Sequence, residues 1–519
     1  MGQLKLKLKL KFVLLSVLSG TLIALSFQKF NFFCLAWFAF VPLIYCIFKS
    51  KIKYCLIYGF ITGFVCYAVS MFWMFVFLNN NLNSYLSSFI VSLLLWIYLS
   101  LYFVVWSGLL SFVKKYLKSY FFLILFSASL WVVLEFVRTY FLTGFPWNLV
   151  GYSQACFLPL IQITDITGIY GISFLIISVN MLLYILSFNN EKFSRLNFYD
   201  TKKFSAVFFV ILISIVLIYG FLKVQKFNSN YGDEITVGVL QPDIDQYKKW
   251  DQNYKQEIIN ELDKNIKYFN NKAEILVYPE SVLPGYLQIE SDIKELVANN
   301  LQNVNLHLIG ATSVNIENNE IYNSVFAIEK SGSILDVHNK NHLVIFGEYI
   351  PLRKFLSKFF GILNSLGDFS KGKSMTVFKY GRINIGSTIC SENFFPNLTR
   401  QLVNNGATLL TNHTNDAWFG NSAAPYQHFV MNIFRAVETR KNIVVCANTG
   451  VSAVINCTGT VTDKTKIFEQ TNFITIAYCN DHKSMYSKTG DLFAYLCLMF
   501  TLICLVFLLF KKSIVTVFD

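Results

Sequence analysis

The sequence predicts a multi-span α-helical membrane domain of about eight helices joined to an extracytoplasmic α/β domain. Three observations carry this reading. The 519 residues are 54% hydrophobic and only 14% charged, against about 25% charged in an ordinary soluble domain. Apolar runs close to the roughly 20 residues that a bilayer crossing requires crowd the first 222 positions and recur once near the C-terminus. Between them the pattern changes to short β-branched runs alternating with amphipathic helices, and all six histidines fall in that second half.

The spans are expected near residues 12–27, 30–48, 54–78, 85–112, 120–137, 168–188, 204–222 and 492–510. Their flanks set an orientation. Lys5, Lys7, Lys9 and Lys11 precede the first span, and Lys49, Lys51 and Lys53 follow the second. Lys114, Lys115 and Lys118 follow the fourth, Lys192, Arg195, Lys202 and Lys203 follow the sixth, and Lys511 and Lys512 follow the last. The opposite short loops hold only Lys29 and Arg138. Basic loops stay in the cytoplasm, so both termini are expected there and residues 223–491 outside. The +13 net charge therefore flanks membrane helices, and no nucleic-acid partner is expected. The basic start has no cleavage site at signal-peptide distance and reads as an uncleaved anchor. Glu135 and Arg138, three apart at the end of the fifth span, read as a structural pair. The domain boundaries are 1–222 with seven helices, 223–491 outside, and 492–519 for the last helix and tail.

Residues 223–491 suffice for one full core. Strand-like runs are ITVGVL, EILVYP, LHLIGA, NSVFAI, INIGSTIC, ATLLTN, NIVVCAN and SAVIN; helix-like runs cover 254–269, 291–301 and 427–441. This alternation indicates a sheet covered by helices, with chemistry at the carboxyl ends of strands.

Three strand-ending segments carry unusual polar residues. EILVYPE ends in Glu280, ILDVHNKNHLVIFGEY contains Lys340 and Glu348, and INIGSTICSE ends in Cys390 and Glu392. Each has a plain alternative: a solvated turn, a loop lysine, a small buried thiol. His338 and His342 are four apart but lack a helical HExxH pattern or a cysteine pair, so no metal is expected. Together the residues gain meaning. A thiol becomes a good nucleophile as a thiolate, a carboxylate can take its proton, and an ammonium can lower the thiol pKa and stabilise an oxyanion. Glu, Lys and Cys suffice for acyl transfer through a thioester.

Those residues, in that order, resemble the nitrilase superfamily of carbon–nitrogen hydrolases. Over nearly its full length the chain is similar to the membrane-bound branch of that superfamily, the apolipoprotein N-acyltransferases. The motifs are TGFPW and GYSQ before the sixth span, QPDIDQYKKWD around Trp250, YPE, NKNHLVIFGEYIP, ICSE and TNDAWFGNSAAPYQH. The resemblance implies a nitrilase-like α–β–β–α sandwich in the periplasm and a bacterial inner-membrane location. It implies that an acyl chain passes from a phospholipid, typically phosphatidylethanolamine, to Cys390. From there it passes to the N-terminal amine of a diacylglyceryl-cysteine apolipoprotein, with no cofactor. Cys390 would be the nucleophile, Glu280 the general base and Lys340 the oxyanion stabiliser. Glu348, Glu392 and Tyr349 would support them, and Trp250 would ride a mobile loop over the site. Trp418 could line a lipid entrance, or simply pack in the core. Two positions depart from the family pattern: Ser391 stands where Tyr is usual, and Tyr278 where Trp is usual.

Two other readings share some of these features. A membrane-tethered amidase or nitrilase acting on small amides would use the same three residues. A transporter or scaffold with a degenerate outer domain would not need them. The eleven cysteines permit no pairing to be deduced from spacing.

Overall fold

The computed structural model describes residues 2–117, 119–188, 202–227, 231–345, 347–350 and 368–518. Lys118, Lys192, Arg195, Phe346 and Pro351, used in the sequence reading, lie outside them, as do the side chains of Lys5, Lys7, Lys511 and Lys512. The chain divides into two compact units. One comprises Met1–Lys223, Ser422–Gln427 and Asp491–Asp519; the other comprises Val224–Asn421 and His428–Gly490.

The first unit is helical. Among the described residues six helices are long and apolar enough to cross a membrane: Ile52–Ser70, Tyr85–Val113, Tyr120–Tyr140, Ile169–Phe188, Lys202–Lys226 and Leu492–Phe510. A further helix, Gly2–Leu25, opens the chain. Two expected spans differ in detail. The run 30–48 is broken into a 3₁₀ turn, Phe33–Trp37, and an eight-residue helix, Val41–Phe48. Pro42 explains the restart, because proline lacks the N–H that an uninterrupted helix needs and suits a first turn. The run 54–78 is divided between Ile52–Ser70 and Trp73–Leu82.

Gln427 is a polar knot in this unit. Its side-chain carbonyl accepts from the indole N–H of Trp73 at 3.1 Å and of Trp147 at 2.7 Å. Its amide donates to Gln28 O at 2.6 Å and Ser70 O at 3.0 Å. Glu135 and Arg138 are buried as structural anchors: Glu135 accepts from Trp131 and from the Val150 backbone, and Arg138 donates to the Tyr67 hydroxyl and to Asn148 O.

The second unit contains twelve described strands in two six-stranded sheets. They are β1 (Asp233–Gln241), β2 (Ile275–Val277), β3 (Leu306–Asn315), β4 (Glu320–Glu329), β5 (Ile334–Asn339), β6 (Val377–Tyr380), β7 (Ile383–Ile389), β8 (Leu409–Thr414), β9 (Ile443–Ala447), β10 (Ala453–Ile455), β11 (Val461–Thr462) and β12 (Thr471–Cys479). The orders are β12-β1-β2-β3-β4-β5 and β11-β10-β9-β8-β7-β6. β1–β2–β3 and β7–β8–β9 are parallel cores with antiparallel edges.

Both sheets contribute to one apolar layer: Val237, Val239, Val277 and Leu308 from the first meet Ile385, Ile389, Leu409 and Val444 from the second. Each such side chain, fully buried, contributes roughly 1.5–3 kcal/mol of transfer free energy. Helices cover the outer faces. Ile258, Leu262 and Ile266 of helix Gln252–Lys267, with Ile293 and Leu296 of helix Ser291–Asn300, pack over Leu276 and Ile309. On the other sheet, helix Pro396–Asn404 sets Leu402 against Gly386 of β7. The layering is α–β–β–α, the architecture the resemblance implies.

Candidate active site

The candidates follow the ends of β2, β5 and β7. Glu280 follows β2, Lys340 is the first residue after β5, and Cys390 is the first after β7. Close backbone approach makes this possible. A Cβ on Gly310 of β3 would meet Pro279 O at 2.1 Å, so only glycine lets β3 pass under the Pro279–Glu280 turn, where Val282 N donates to Gly310 O at 2.8 Å.

Glu280 is buried and held on both oxygens. Oε1 accepts from Asn323 Nδ2 at 2.7 Å and from Lys340 Nζ at 3.4 Å. Oε2 accepts from the Asn415 backbone N–H at 2.9 Å. Lys340 also donates to Glu348 Oε1 at 2.8 Å, and Asn323 bridges to the same oxygen at 3.0 Å. Glu348 turns its other oxygen to the Val344 N–H at 2.8 Å. One ammonium is thus shared by two buried carboxylates, with Asn323 fixing their spacing. Burial opposes the charge on Lys340, but Glu348, then Glu280 and Cys390, outweigh it and push its pKa up. It stays charged.

Cys390 is partly buried and has φ of 49°. A non-glycine residue in that left-handed region carries local strain, which the surroundings must hold in place. Its thiol feels Glu280, Lys340 and Asp416 electrostatically, with Thr414 nearby. Burial first, then Glu280, drives the thiol pKa well above its ordinary value, and Lys340 only partly offsets them. The resting sulfur is therefore protonated, whereas the sequence argument stressed the lowering effect of the lysine.

Glu392 is a clamp. Its Oε2 accepts from Ile389 N at 2.8 Å and His338 Nε2 at 3.2 Å, and its Oε1 from Asn341 N at 2.6 Å and His342 N at 3.4 Å. Burial alone would raise its pKa; the charge and hydrogen bond of His338 and the backbone donors bring it below the usual carboxylate value. His338 is thus engaged with Glu392, and His342 lies against the Phe395 ring at 3.8 Å.

The remaining candidates are peripheral. Trp250 is 47% exposed, with its ring 6.4 Å from Tyr286. Trp418 is 40% exposed, which excludes the core-packing alternative for it. Tyr349 is half-buried, and its backbone forms a bridge with Ile345. Ser391 is buried, and its hydroxyl has no hydrogen-bond partner among the described residues. Tyr278 is buried with its hydroxyl 2.9 Å from His307 Nδ1. Asn323, Asn415 and Asp416, which carry much of the geometry, escaped the sequence reading as individual residues. The TNDAWFG motif pointed at the last two.

Residues 19–182 match the family profile described as apolipoprotein N-acyltransferase N-terminal domain, and residues 236–480 match carbon-nitrogen hydrolase. A protein of Geobacter metallireducens named apolipoprotein N-acyltransferase is 35% identical over 511 residues, covering 93% of this chain and 92% of that protein. The chain belongs to the apolipoprotein N-acyltransferase family. A second relative of that name, from Rickettsia prowazekii, is 31% identical over 474 residues and covers 89% of this chain and 90% of its own length. As a member of this family the chain is an acyltransferase with a nitrilase-like domain, and its apolar helices make it a membrane protein.

Proposed function

We propose that this chain N-acylates lipoproteins through a thioester on Cys390. The observation that carries the assignment is the convergence of Glu280, Lys340 and Glu348 on one site that also acts on the Cys390 thiol. In the first half-reaction Glu280 takes the thiol proton as sulfur attacks the acyl ester carbonyl of a phospholipid. Lys340 stabilises the oxyanion, and the glycerol oxygen leaves with the proton from Glu280. The products are the acyl-enzyme and a lysophospholipid. In the second half-reaction the α-amine of a diacylglyceryl-cysteine attacks the thioester, Glu280 takes its proton and passes it to the departing sulfur, which leaves as the thiol. Glu348 and Asn323 keep Lys340 and Glu280 at working distance, Glu392 positions the Lys340 loop, and Trp250, Tyr349 and Trp418 bound the acyl path. Phosphatidylethanolamine is the proposed donor.

In this reading residues 1–222 and 492–519 occupy the inner membrane, residues 223–491 face the periplasm, and both termini are cytoplasmic. The lysine asymmetry of the loops supports it. The match of residues 19–182 to the family's own N-terminal domain weighs against a free small-amide hydrolase. The test incubates the purified full chain with phosphatidylethanolamine bearing an isotope-labelled acyl chain. Mass spectrometry should find that acyl mass on the Cys390 peptide, and a diacylglyceryl-cysteine peptide should discharge it. Cys390→Ala should abolish both signals; acyl transfer surviving in that variant would refute the assignment.

A further inference from the structure

Lys340 has a companion. Lys249, in the loop between β1 and helix Gln252–Lys267, is only 3% exposed, a rare state for a lysine without a partner. Lys340 is engaged by two carboxylates. The Lys249 ammonium has no hydrogen-bond or ion-pair partner among the described residues; the Trp250 ring lies 5.6 Å away. The loop that carries it is pinned. Ile244 exchanges hydrogen bonds with the Asn448 side chain at 3.0 and 2.8 Å, and the Asn415 amide donates to Gln246 Oε1. The cation is therefore held in place rather than trailing on a loose arm. Glu280 acts on it electrostatically, yet the two are not bonded, and both Glu280 oxygens already have other donors. Burial lowers the Lys249 pKa to about 8, with Glu280 pulling the other way, so the group remains largely cationic at neutral pH.

A desolvated cation without a counter-charge is costly, and the cost is recovered when an anion binds. The other charged groups of the site are committed: Lys340 to Glu280 and Glu348, Asp416 to His428. A phospholipid brings one anion of the right kind, a phosphodiester separated from its ester carbonyl by a glycerol unit. Lys249 acts on Glu280 electrostatically without bonding to it, and its loop is tied through Gln246 to Asn415, whose backbone N–H holds Glu280. We propose that Lys249 binds the phosphodiester of the donor lipid while the ester carbonyl lies at Cys390. This inference rests on the assignment of Cys390 and Glu280 above.

The experiment compares two acyl donors with the same chain, phosphatidylethanolamine and a p-nitrophenyl ester that lacks phosphate. Acylation of Cys390 in the full-length protein is followed by intact mass. Lys249→Met should lower kcat/KM for phosphatidylethanolamine roughly tenfold or more, mainly through KM, and leave the p-nitrophenyl ester within about twofold. Lys249→Gln should show the same donor-selective loss, and Lys249→Arg should restore much of it. Equal loss with both donors, or no loss with either, overturns the proposal. So does Lys249-dependent inhibition of the p-nitrophenyl reaction by inorganic phosphate, which would make this a free-phosphate site. Cys390→Ala is run beside these variants; label in that protein would sink the nucleophile assignment separately.

Discussion

Cys390, the proposed nucleophile, has surroundings that keep it quiet. Burial and the neighbouring Glu280 carboxylate hold the thiol protonated against the pull of Lys340. Deprotonation is then coupled to attack, which suits an enzyme that must avoid oxidation or wasteful reaction of a standing thiolate. The electrostatics predict a dissociation between reactivity and activity. Glu280→Gln removes a charge that raises the thiol pKa, so alkylation of Cys390 by iodoacetamide at pH 8 should accelerate. Acyl transfer by the same variant should fall by roughly 10²–10⁴, the usual worth of a positioned base. Lys340→Met should slow alkylation as well as transfer. Peptide mapping after timed quenching reads the Cys390 rate against the other cysteines. An unchanged or slower rate in Glu280→Gln would mean that the carboxylate does not govern the thiol.

At the level of elements, Glu392 ties together the end of β7, the end of β5 and the loop carrying Lys340. Its pKa lies below the ordinary value, so its ionised form stabilises the fold at neutral pH. That contribution is fully present above about pH 4.3 and is lost as pH falls through the lower folded-state value. Glu392→Gln should cost about 3–5 kcal/mol near neutrality, as breaking a buried pair does. The difference in thermal midpoint from the unaltered protein should shrink as pH drops below about 4.3. A gap that persists unchanged into that range would show that packing, not charge, explains the clamp. Much of this frame was readable in advance. The β-branched runs that end in Glu280 and Cys390 were visible because buried parallel strands are continuously apolar. β12, TNFITIAYC, was not, because it is half exposed and pairs with β1 from the far end of the domain. The four residues of β6 are legible only through their hairpin with β7. Asn323 within β4 and Asn415 just after β8 look like ordinary asparagines until residues from distant positions meet them, and Lys249 stood out only once its burial was known.

Across the whole chain, the loops sort by charge. The Lys114 ammonium donates to Ile47 O and to Ser50 O, at 3.1 Å for the latter, so two lysine-rich connections meet at one end of the helical unit. The lysine-poor connections meet elsewhere: Gln28, Ser70, Trp73 and Trp147 share the Gln427 amide, and Asn31 Nδ2 donates to Cys156 Sγ at 3.2 Å. The two lysine-rich connections that touch here are thus distinct from the lysine-poor ones that meet at Gln427, as a basic-inside preference would have it. The proposed orientation can be tested chemically. Cys34, in the 3₁₀ turn Phe33–Trp37, and Cys156 are the exposed thiols, both beside lysine-poor connections. A membrane-impermeant maleimide should label them in right-side-out spheroplasts and should fail in sealed inverted vesicles until detergent is added. Cys34→Ser and Cys156→Ser remove one signal each and identify the sites. Labelling confined to inverted vesicles would reverse the topology and put Cys390 on the wrong side of the membrane for the lipoproteins it is proposed to acylate.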